Sequence, residues 1–394
     1  MRKKRILLLS EGFGAGHTQA AHALAESLRK LSPHIQTRVL ELGRFLHPTL
    51  APLVFTAYRK TVSSQPRLYG LVYRSQYKKS QNRVTQLALH RIFYAQTALV
   101  IRQLRPDLIV CTHPFPSAVV SRLKRIGLNV PLCTVITDYD AHGAWVSREV
   151  NAYLVSTPDV GEKLMSRGVT AANVKVTGIP VHPNFWEPHN REELRARFGL
   201  QAMPTVLVMG GGWGLLKESS FLERLVRWRD KLQLIICLGS NEKGRAALLA
   251  DARFRHPNVR LLGFTKEIDK WMDVSDLLIT KPGGMTCTEA LAKGIPMLFY
   301  AAIPGQEEEN LQYFEQQGLG EAIRSPETVD RSFTRLVERY PQTHGTRELL
   351  GDAASKYDPA TCSRAILEVL SGSVKDWHVK TGSELTEEPL VPSD

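Results

Sequence analysis

Short apolar runs alternate with helix-spaced segments along nearly the whole chain. Residues 5–12, RILLLSEG, make a continuous apolar run that ends in glycine, the pattern of a strand buried on both faces. Residues 18–31, TQAAHALAESLRKL, then place Ala20, Leu24, Leu28 and Leu31 at helical spacing. QTRVLEL predicts a second strand, DLIVCTH a third and PLCTVITD a fourth, and NAYLVST and VKVTGIP continue the series. Strands alternating with helices predict a doubly wound parallel sheet of the α/β class.

The alternation breaks at HPNFWEPHNREELRARFGLQAMP, which carries three prolines and reads as a connection without a strand. It restarts with TVLVMGGG, LQLIICLGS, VRLLGF, DLLITKPGG and MLFYA. The expectation is two Rossmann-like domains, residues 1–185 and 204–350, joined by a linker at 186–203. A helix at 351–370 is expected to pack back on the first domain, and residues 371–394, which lack periodicity, read as a flexible tail. At 394 residues the chain is long enough for two separate cores. Ligands of open α/β sheets bind beyond the carboxyl ends of the strands, so a central cleft between the two domains is the expected site.

Charge adds a partner to this picture. The formal net charge is +12 and the sequence pI is near 9.5, which points to something anionic. Residues 42–106 contain no Asp or Glu and eleven Lys or Arg, so this one segment carries nearly all of the excess. Phe45, Leu46, Leu50, Leu53, Val54, Phe55, Tyr58, Tyr69, Tyr73 and Tyr77 are interleaved with the cations, and Leu46, Leu50, Leu53, Val54 and Ala57 predict one apolar helical face. Cations mixed with apolar and aromatic side chains suit the surface of an anionic bilayer, where each cation contributes ~1 kcal/mol. A merely basic, solvated face is the plainer alternative. No RNA- or DNA-binding motif is present, so nucleic acid is not the expected partner. The five cysteines are scattered without a CxxC pair, which fits reduced thiols rather than zinc ligands or a disulfide framework. The apolar run in MRKKRILLLSEG is too short for a signal peptide, and no stretch approaches the ~20 apolar residues of a spanning helix. A cytoplasmic protein, peripheral on the inner face of the membrane, is expected. Nothing in the sequence sets the oligomeric state.

Four stretches carry candidate chemistry. GFGAGH, residues 12–17, follows the first strand and brings backbone amides and His17 to a helix start facing the cleft. His17 has a side chain suited to proton transfer near neutrality, or it is a solvent-exposed cap. Glu41 at the end of the second strand could mimic the ribose-binding acid of a dinucleotide fold. GGGWG, residues 210–214, repeats the glycine device in the second half. TDYDAHGAW, residues 137–145, offers Asp138 and Asp140 as a metal-holding pair, or a substrate-facing loop carrying Asp138, His142 and Trp145. THPFPS adds a cleft-edge His113, although both histidines could simply satisfy local backbone groups. KPGGMTCTEALAKG, residues 281–294, stops a strand on Pro-Gly-Gly and opens a helix with hydroxyls and an acid, which reads as a seat for an anion.

GFGAGHTQAAHAL, TDYDAHGAWVSREVNAYLVST, VTGIP, GGGWG, KPGGMTCTEALAKGIP and PGQEEEN together resemble the monogalactosyldiacylglycerol synthase and processive diacylglycerol glucosyltransferase family. They are more distantly similar to the peptidoglycan glycosyltransferase MurG. The resemblance spans residues 5 to 370, and its last two stretches are the specific ones. It implies a GT-B fold, a UDP-sugar donor, inversion at the anomeric carbon and no required metal or other cofactor. By position it implies donor contacts from Gly16, Gly212, Gly263, Phe264, Gly283, Gly284, Met285, Thr286, Glu289, Gln306, Glu307 and Asn310. Gly283, Gly284 and Thr286 would lie at the diphosphate, Glu289 at the ribose hydroxyls and Phe264 beside the uracil. Gln306, Glu307 and Asn310 would face the sugar. His17 would be the catalytic base, with His113, Asp138, His142 and Trp145 on the acceptor side. Two positions depart from the family pattern: His182 stands where an Arg is common, and Glu11 where a small residue or Asp is common.

The resulting expectation is an inverting transferase moving a hexose, glucose first, from a UDP-sugar to diacylglycerol at the membrane. Three alternatives stand beside it. One is the same enzyme with another lipid-linked or hydrophobic acceptor, and another is a UDP-sugar- or membrane-binding module without catalysis. The third, a nicotinamide-dependent oxidoreductase, rests on GFGAG and Glu41 alone and gives KPGGMTCTE no role.

Overall fold

The computed structural model describes residues 3–64, 96–210, 219–340 and 357–372. The first half runs β1 (Arg5–Ser10), α1 (Ala15–Leu31), β2 (Gln36–Glu41), α2 (Leu42–Leu46), α3 (Leu50–Ser64), α4 (Thr97–Leu104), β3 (Leu108–Cys111), α5 (Pro114–Arg125), β4 (Leu132–Val135), β5 (Ala152–Val155), α6 (Pro158–Met165) and β6 (Val174–Val176). The second runs α7 (Arg191–Arg197), β7 (Thr205–Met209), α8 (Ser219–Val226), β8 (Gln233–Cys237), α9 (Glu242–Ala250), β9 (Val259–Leu262), α10 (Ile268–Val274), β10 (Leu277–Thr280), α11 (Gly284–Ala292), β11 (Met297–Phe299), α12 (Gln306–Gln316), β12 (Gly320–Ala322), α13 (Pro326–Arg339) and α14 (Thr361–Ser371).

Both sheets are parallel and six-stranded, in the orders β2-β1-β3-β4-β5-β6 and β12-β11-β10-β7-β8-β9. Every central strand is apolar on both sides because each sheet is covered on both faces. Ile6 and Leu8 of β1 point to a layer formed with α1, whereas Leu7 and Leu9 point to one formed with α4 and α5. Cys362, Ala365, Ile366 and Val369 of α14 join the α1 layer, so the end of the described chain packs on the first sheet. Each sheet has one point where strand order reverses, between β1 and β3 in the first and between β7 and β10 in the second. Loops diverge there and leave a crevice at the carboxyl edge. His17 follows β1, His113 follows β3, and the Pro-Gly-Gly turn follows β10. Fold topology therefore brings the three candidate stretches to two crevices.

The structure adds detail to the expectations. The connection at 186–203 has no strand but carries a helix: Asn190 caps α7 through the amides of Glu192 and Glu193, and Leu194 is buried in the second core. The short strand β12, Gly-Glu-Ala, has no apolar run to announce it and forms by pairing with Met297–Phe299. The apolar face drawn through Leu46, Leu50 and Leu53 spans a break. His47 leaves the helical region before Pro48, as the residue ahead of a proline tends to, and Leu46 packs on the first core. The tail from residue 373 onward, the stretch 65–95 of the basic segment, and Gly212 with most of GGGWG lie outside the described residues.

Candidate active site

Two helix N-termini meet in the cleft. Gly14 at the start of α1 and Gly283 at the start of α11 provide no side-chain cap, and neither helix has an acid in its first turn. Their first-turn amides therefore lack intrahelical partners and present partial positive charge. The ends touch: a Cβ on Gly16 would lie 3.4 Å from the Met285 side chain. A Cβ on Gly283 would meet nothing within 4 Å, whereas one on Gly284 would sit 2.2 Å from the carbonyl oxygen of Thr137. The two glycines thus do different work. Gly283 borders open space, and Gly284 allows the domains to come into backbone contact. Two like dipole ends facing each other repel, and an anion between them relieves that repulsion.

His17, in the first turn of α1, is partly buried. Its Nδ1 lies 2.8 Å from Thr137 Oγ1, and its carbonyl accepts from Thr112 Oγ1 at 2.9 Å. Loss of hydration, reinforced by nearby His142, lowers its pKa to about 4, so the ring is neutral at neutral pH but a weaker base than the solvated imidazole expected from the sequence. Its ring meets the edge of His113 at 4.7 Å and that of Trp145 at 6.1 Å between centroids. Three further candidate histidines serve the backbone. His113 Nδ1 accepts from Phe115 N, His142 Nδ1 from Ala144 N and His182 Nδ1 from Asn184 N, each capping the turn that follows it. Burial pushes the pKa of His113 well down and that of His142 to about 4. Trp145 is 1% exposed and belongs to the first core, so only its edge reaches the site. Phe13 contacts Phe55, Phe115 and His113, with centroids 5.0, 5.6 and 5.7 Å away. This aromatic wall ties α3 to the glycine loop beside His17.

On the facing side, Glu289 lies one turn into α11, partly buried. Burial, with the charge of Asp269 nearby, raises its carboxyl pKa to about 8. Among the described residues no hydrogen bond is made by its carboxyl, which the raised pKa keeps largely protonated near neutrality. Thr286 shares the first turn of α11. Glu307 accepts from Ile303 N at 2.7 Å, and its pKa too is raised by burial. Gly263 abuts Glu242, and Phe264 beside it is 71% exposed.

Asp138 and Asn310 sit elsewhere than on an open wall. Asn310 is fully buried; its oxygen accepts from Tyr139 N at 2.8 Å and its nitrogen donates to Pro282 O at 3.0 Å and to Asp138 at 3.4 Å. Burial raises the pKa of Asp138 to about 6, opposed by hydrogen bonds from Gln306 and Asn310. Asp140, the other half of the suggested metal pair, is salt-bridged to Lys163 at 2.6 Å, and the described residues contain no cluster of three metal-ligating side chains. Glu41 accepts from Thr18 Oγ1 at 2.9 Å, and Glu11 accepts from Gly43 N at the start of α2, which gives both acids structural partners. The residues that sequence reading missed are Thr112, Thr137, Tyr139 and the phenylalanine wall. Tyr139 was visible only as the spacer between two acids.

Residues 17–181 match the family model for monogalactosyldiacylglycerol synthase, and residues 205–340 match the glycosyltransferase family 28 C-terminal domain. A processive diacylglycerol beta-glucosyltransferase of Staphylococcus carnosus is 30% identical, with 94% of each chain covered. The chain belongs to the monogalactosyldiacylglycerol synthase and processive diacylglycerol glucosyltransferase family. Another member, the processive diacylglycerol beta-glucosyltransferase of Bacillus subtilis, is 32% identical over 89% of this chain and 91% of its own. The family's GT-B fold is seen in Acinetobacter baumannii MurG, with TM-score 0.60, 16% identity and coverage of 94% of this chain and 99% of that one. It is seen again in Anabaena Alr3699/HepE in complex with UDP-glucose, with TM-score 0.57, 15% identity and coverage of 93% and 99%.

Proposed function

We propose that this family member transfers a hexose, glucose in the first instance, from a UDP-sugar to the free hydroxyl of diacylglycerol, with inversion. The observation that carries the reading is the pair of uncapped helix N-termini converging on one space, with neutral His17 on one side and unpartnered Glu289 on the other. The α11 end, with Gly283, Gly284, Met285 and Thr286, would seat the diphosphate, and Glu289 would accept from the ribose hydroxyls. Phe264, Gln306 and Glu307 are proposed to line base and sugar. His17 would take the proton of the acceptor hydroxyl as its oxygen bonds to C1 and the C1–O bond to UDP breaks. Charge building on the departing diphosphate would be met by preorganised amides, so the chain's own residues account for the chemistry without a metal.

Phe45, Leu50 and Leu53, exposed at 47%, 41% and 67%, are proposed to enter an anionic leaflet together with the cations of residues 42–106. No helix among the described residues is long and apolar enough to cross a membrane, so attachment at one face, the inner one, is the matching proposal. The activity of the diacylglycerol glucosyltransferase relatives favours diacylglycerol, and the phenylalanine wall suits a hydrophobic acceptor. The test is incubation with UDP-glucose and, separately, UDP-galactose in vesicles containing diacylglycerol and anionic lipid, followed by mass analysis of the lipid. Monohexosyl or oligohexosyl diacylglycerol is expected; product on a different acceptor only would replace diacylglycerol in the proposal.

A further inference from the structure

Residues 137–139 join the base to the donor-binding domain. Thr137 Oγ1 touches His17 Nδ1 at 2.8 Å, while the carbonyl of the same residue rests against Gly284 at the head of α11. Two residues on, Tyr139 leaves the first domain altogether. Its side chain is 7% exposed inside a core built from the second sheet and its helices. There it stacks on Tyr313 at 4.6 Å, meets Phe314 edge-on at 4.6 Å and shares a 2.8 Å hydroxyl contact with Thr288 of α11. Its amide is held by Asn310. The segment is thus held by the donor domain at Tyr139 and by the first sheet through Ile136 N to Leu154 O and Ser156 Oγ to Asp138 O, with Thr137 on the ring of His17 between them.

We propose that Thr137 is a positioning residue that fixes the His17 ring with Nδ1 protonated and Nε2 free, and that Tyr139, seated in the second domain, steadies the segment that carries it. This rests on His17 being the base. The Thr137 hydroxyl accepts from Nδ1–H, which leaves the Nε2 lone pair for the acceptor hydroxyl. Parting the domains removes the Tyr139 anchor and the Gly284 contact, which loosens Thr137 against the ring, although Ile136 and Asp138 keep the segment on the first sheet. The aim of the base is thereby coupled to domain docking.

The experiment compares Thr137→Val, Thr137→Ser and Tyr139→Leu in the full-length protein, with thermal unfolding as a check on folding. Thr137→Val is expected to lower kcat about tenfold or more while KM for the UDP-sugar stays within about threefold, and Thr137→Ser is expected to restore most of it. Adding Tyr139→Leu to Thr137→Val should cost little beyond the larger single loss, because both act through the same ring. The independent readout is the ¹⁵N spectrum of the histidine side chains, with the His17 signal assigned by its loss in His17→Gln. The Nδ1–H form is expected in the wild type and in Thr137→Ser, and a mixture in Thr137→Val. A wild-type ring protonated on Nε2 overturns the proposal even if the variants fail to fold. So do fully multiplicative losses, or a Thr137→Ser as impaired as Thr137→Val. Unchanged turnover in His17→Gln would instead remove the base assignment, while the spectrum still reports on what Thr137 does to the ring.

Discussion

Glu289 illustrates how one residue can weaken the fold and serve the site. Its carboxyl pKa, raised by burial from 4.5 to about 8, means that the folded state holds a proton that the unfolded state releases between those values. Stability contributed by the protonated acid is therefore lost as pH rises through that window. Glu289→Gln should raise Tm near neutrality by about 2–4 °C and flatten its fall with pH, as read by differential scanning calorimetry. The same variant would remove the two charge-assisted bonds proposed to ribose and should raise KM for the UDP-sugar about tenfold or more. Ribose hydroxyls donating to the wild-type carboxylate would draw its pKa down, so donor binding near neutral pH should release a proton. Calorimetric titration in buffers of different ionisation enthalpy measures this; binding with no proton exchange would contradict the role given to Glu289. His17, His113 and His142 were all legible as residues that follow strands, and the family resemblance singled out His17. The residues alone did not, because availability depends on whether Nδ1 meets a local amide, and side-chain direction is settled only by packing.

Among the elements, α11 bears the sharpest constraint. A methyl group at Gly284 would overlap the Thr137 carbonyl, so Gly284→Ala should part the domains at a cost of about 1–3 kcal/mol. Gly283→Ala, which meets open space, should leave Tm unchanged and affect donor binding alone. Thermal unfolding of the pair, with KM measured beside it, separates packing from binding. Sequence could show that Pro-Gly-Gly after an apolar run opens a helix at a crevice. It could not assign separate duties to adjacent glycines, since only the contact between domains distinguishes them. Of the twelve strands among the described residues, eleven were legible in the sequence, the central ones as apolar runs, because parallel strands covered on both faces have no polar alternation to hide them. The twelfth, Gly320–Ala322, is defined by its neighbour rather than by its own residues. Helix α7 was obscured by the surrounding prolines, although Asn190 followed by Glu192 and Glu193 is a cap signal that could have located it.

The whole molecule joins a basic, apolar-studded segment to a cleft where two domains meet. Leu53, 67% exposed on α3, contributes nothing visible to either core, so Leu53→Asp should fold normally. It should weaken sedimentation with anionic vesicles about tenfold or more, the equivalent of removing one buried leucine from the leaflet. Turnover of a dispersed short-chain diacylglycerol should be unaffected; equal loss on both substrates would place Leu53 in the site rather than at the membrane. Vesicle binding should also weaken with added salt, as screening shortens the reach of the cations. The two sheets, their order reversals and their facing carboxyl edges followed from a repeated βα pattern, which is why fold and general site were readable early. How the domains touch, through Tyr139 and Gly284, was not, since contacts far apart in sequence leave no local period. The central claim is that His17 deprotonates the lipid hydroxyl as the sugar inverts. Its most direct test is single-turnover transfer from UDP-glucose to diacylglycerol by wild type and His17→Ala, with the anomeric configuration of the product read by NMR. The account predicts a β-linked product and a rate about 10²–10⁴-fold lower in His17→Ala, with UDP-glucose binding retained. An α-linked product, or a variant that transfers at the wild-type rate, would contradict it.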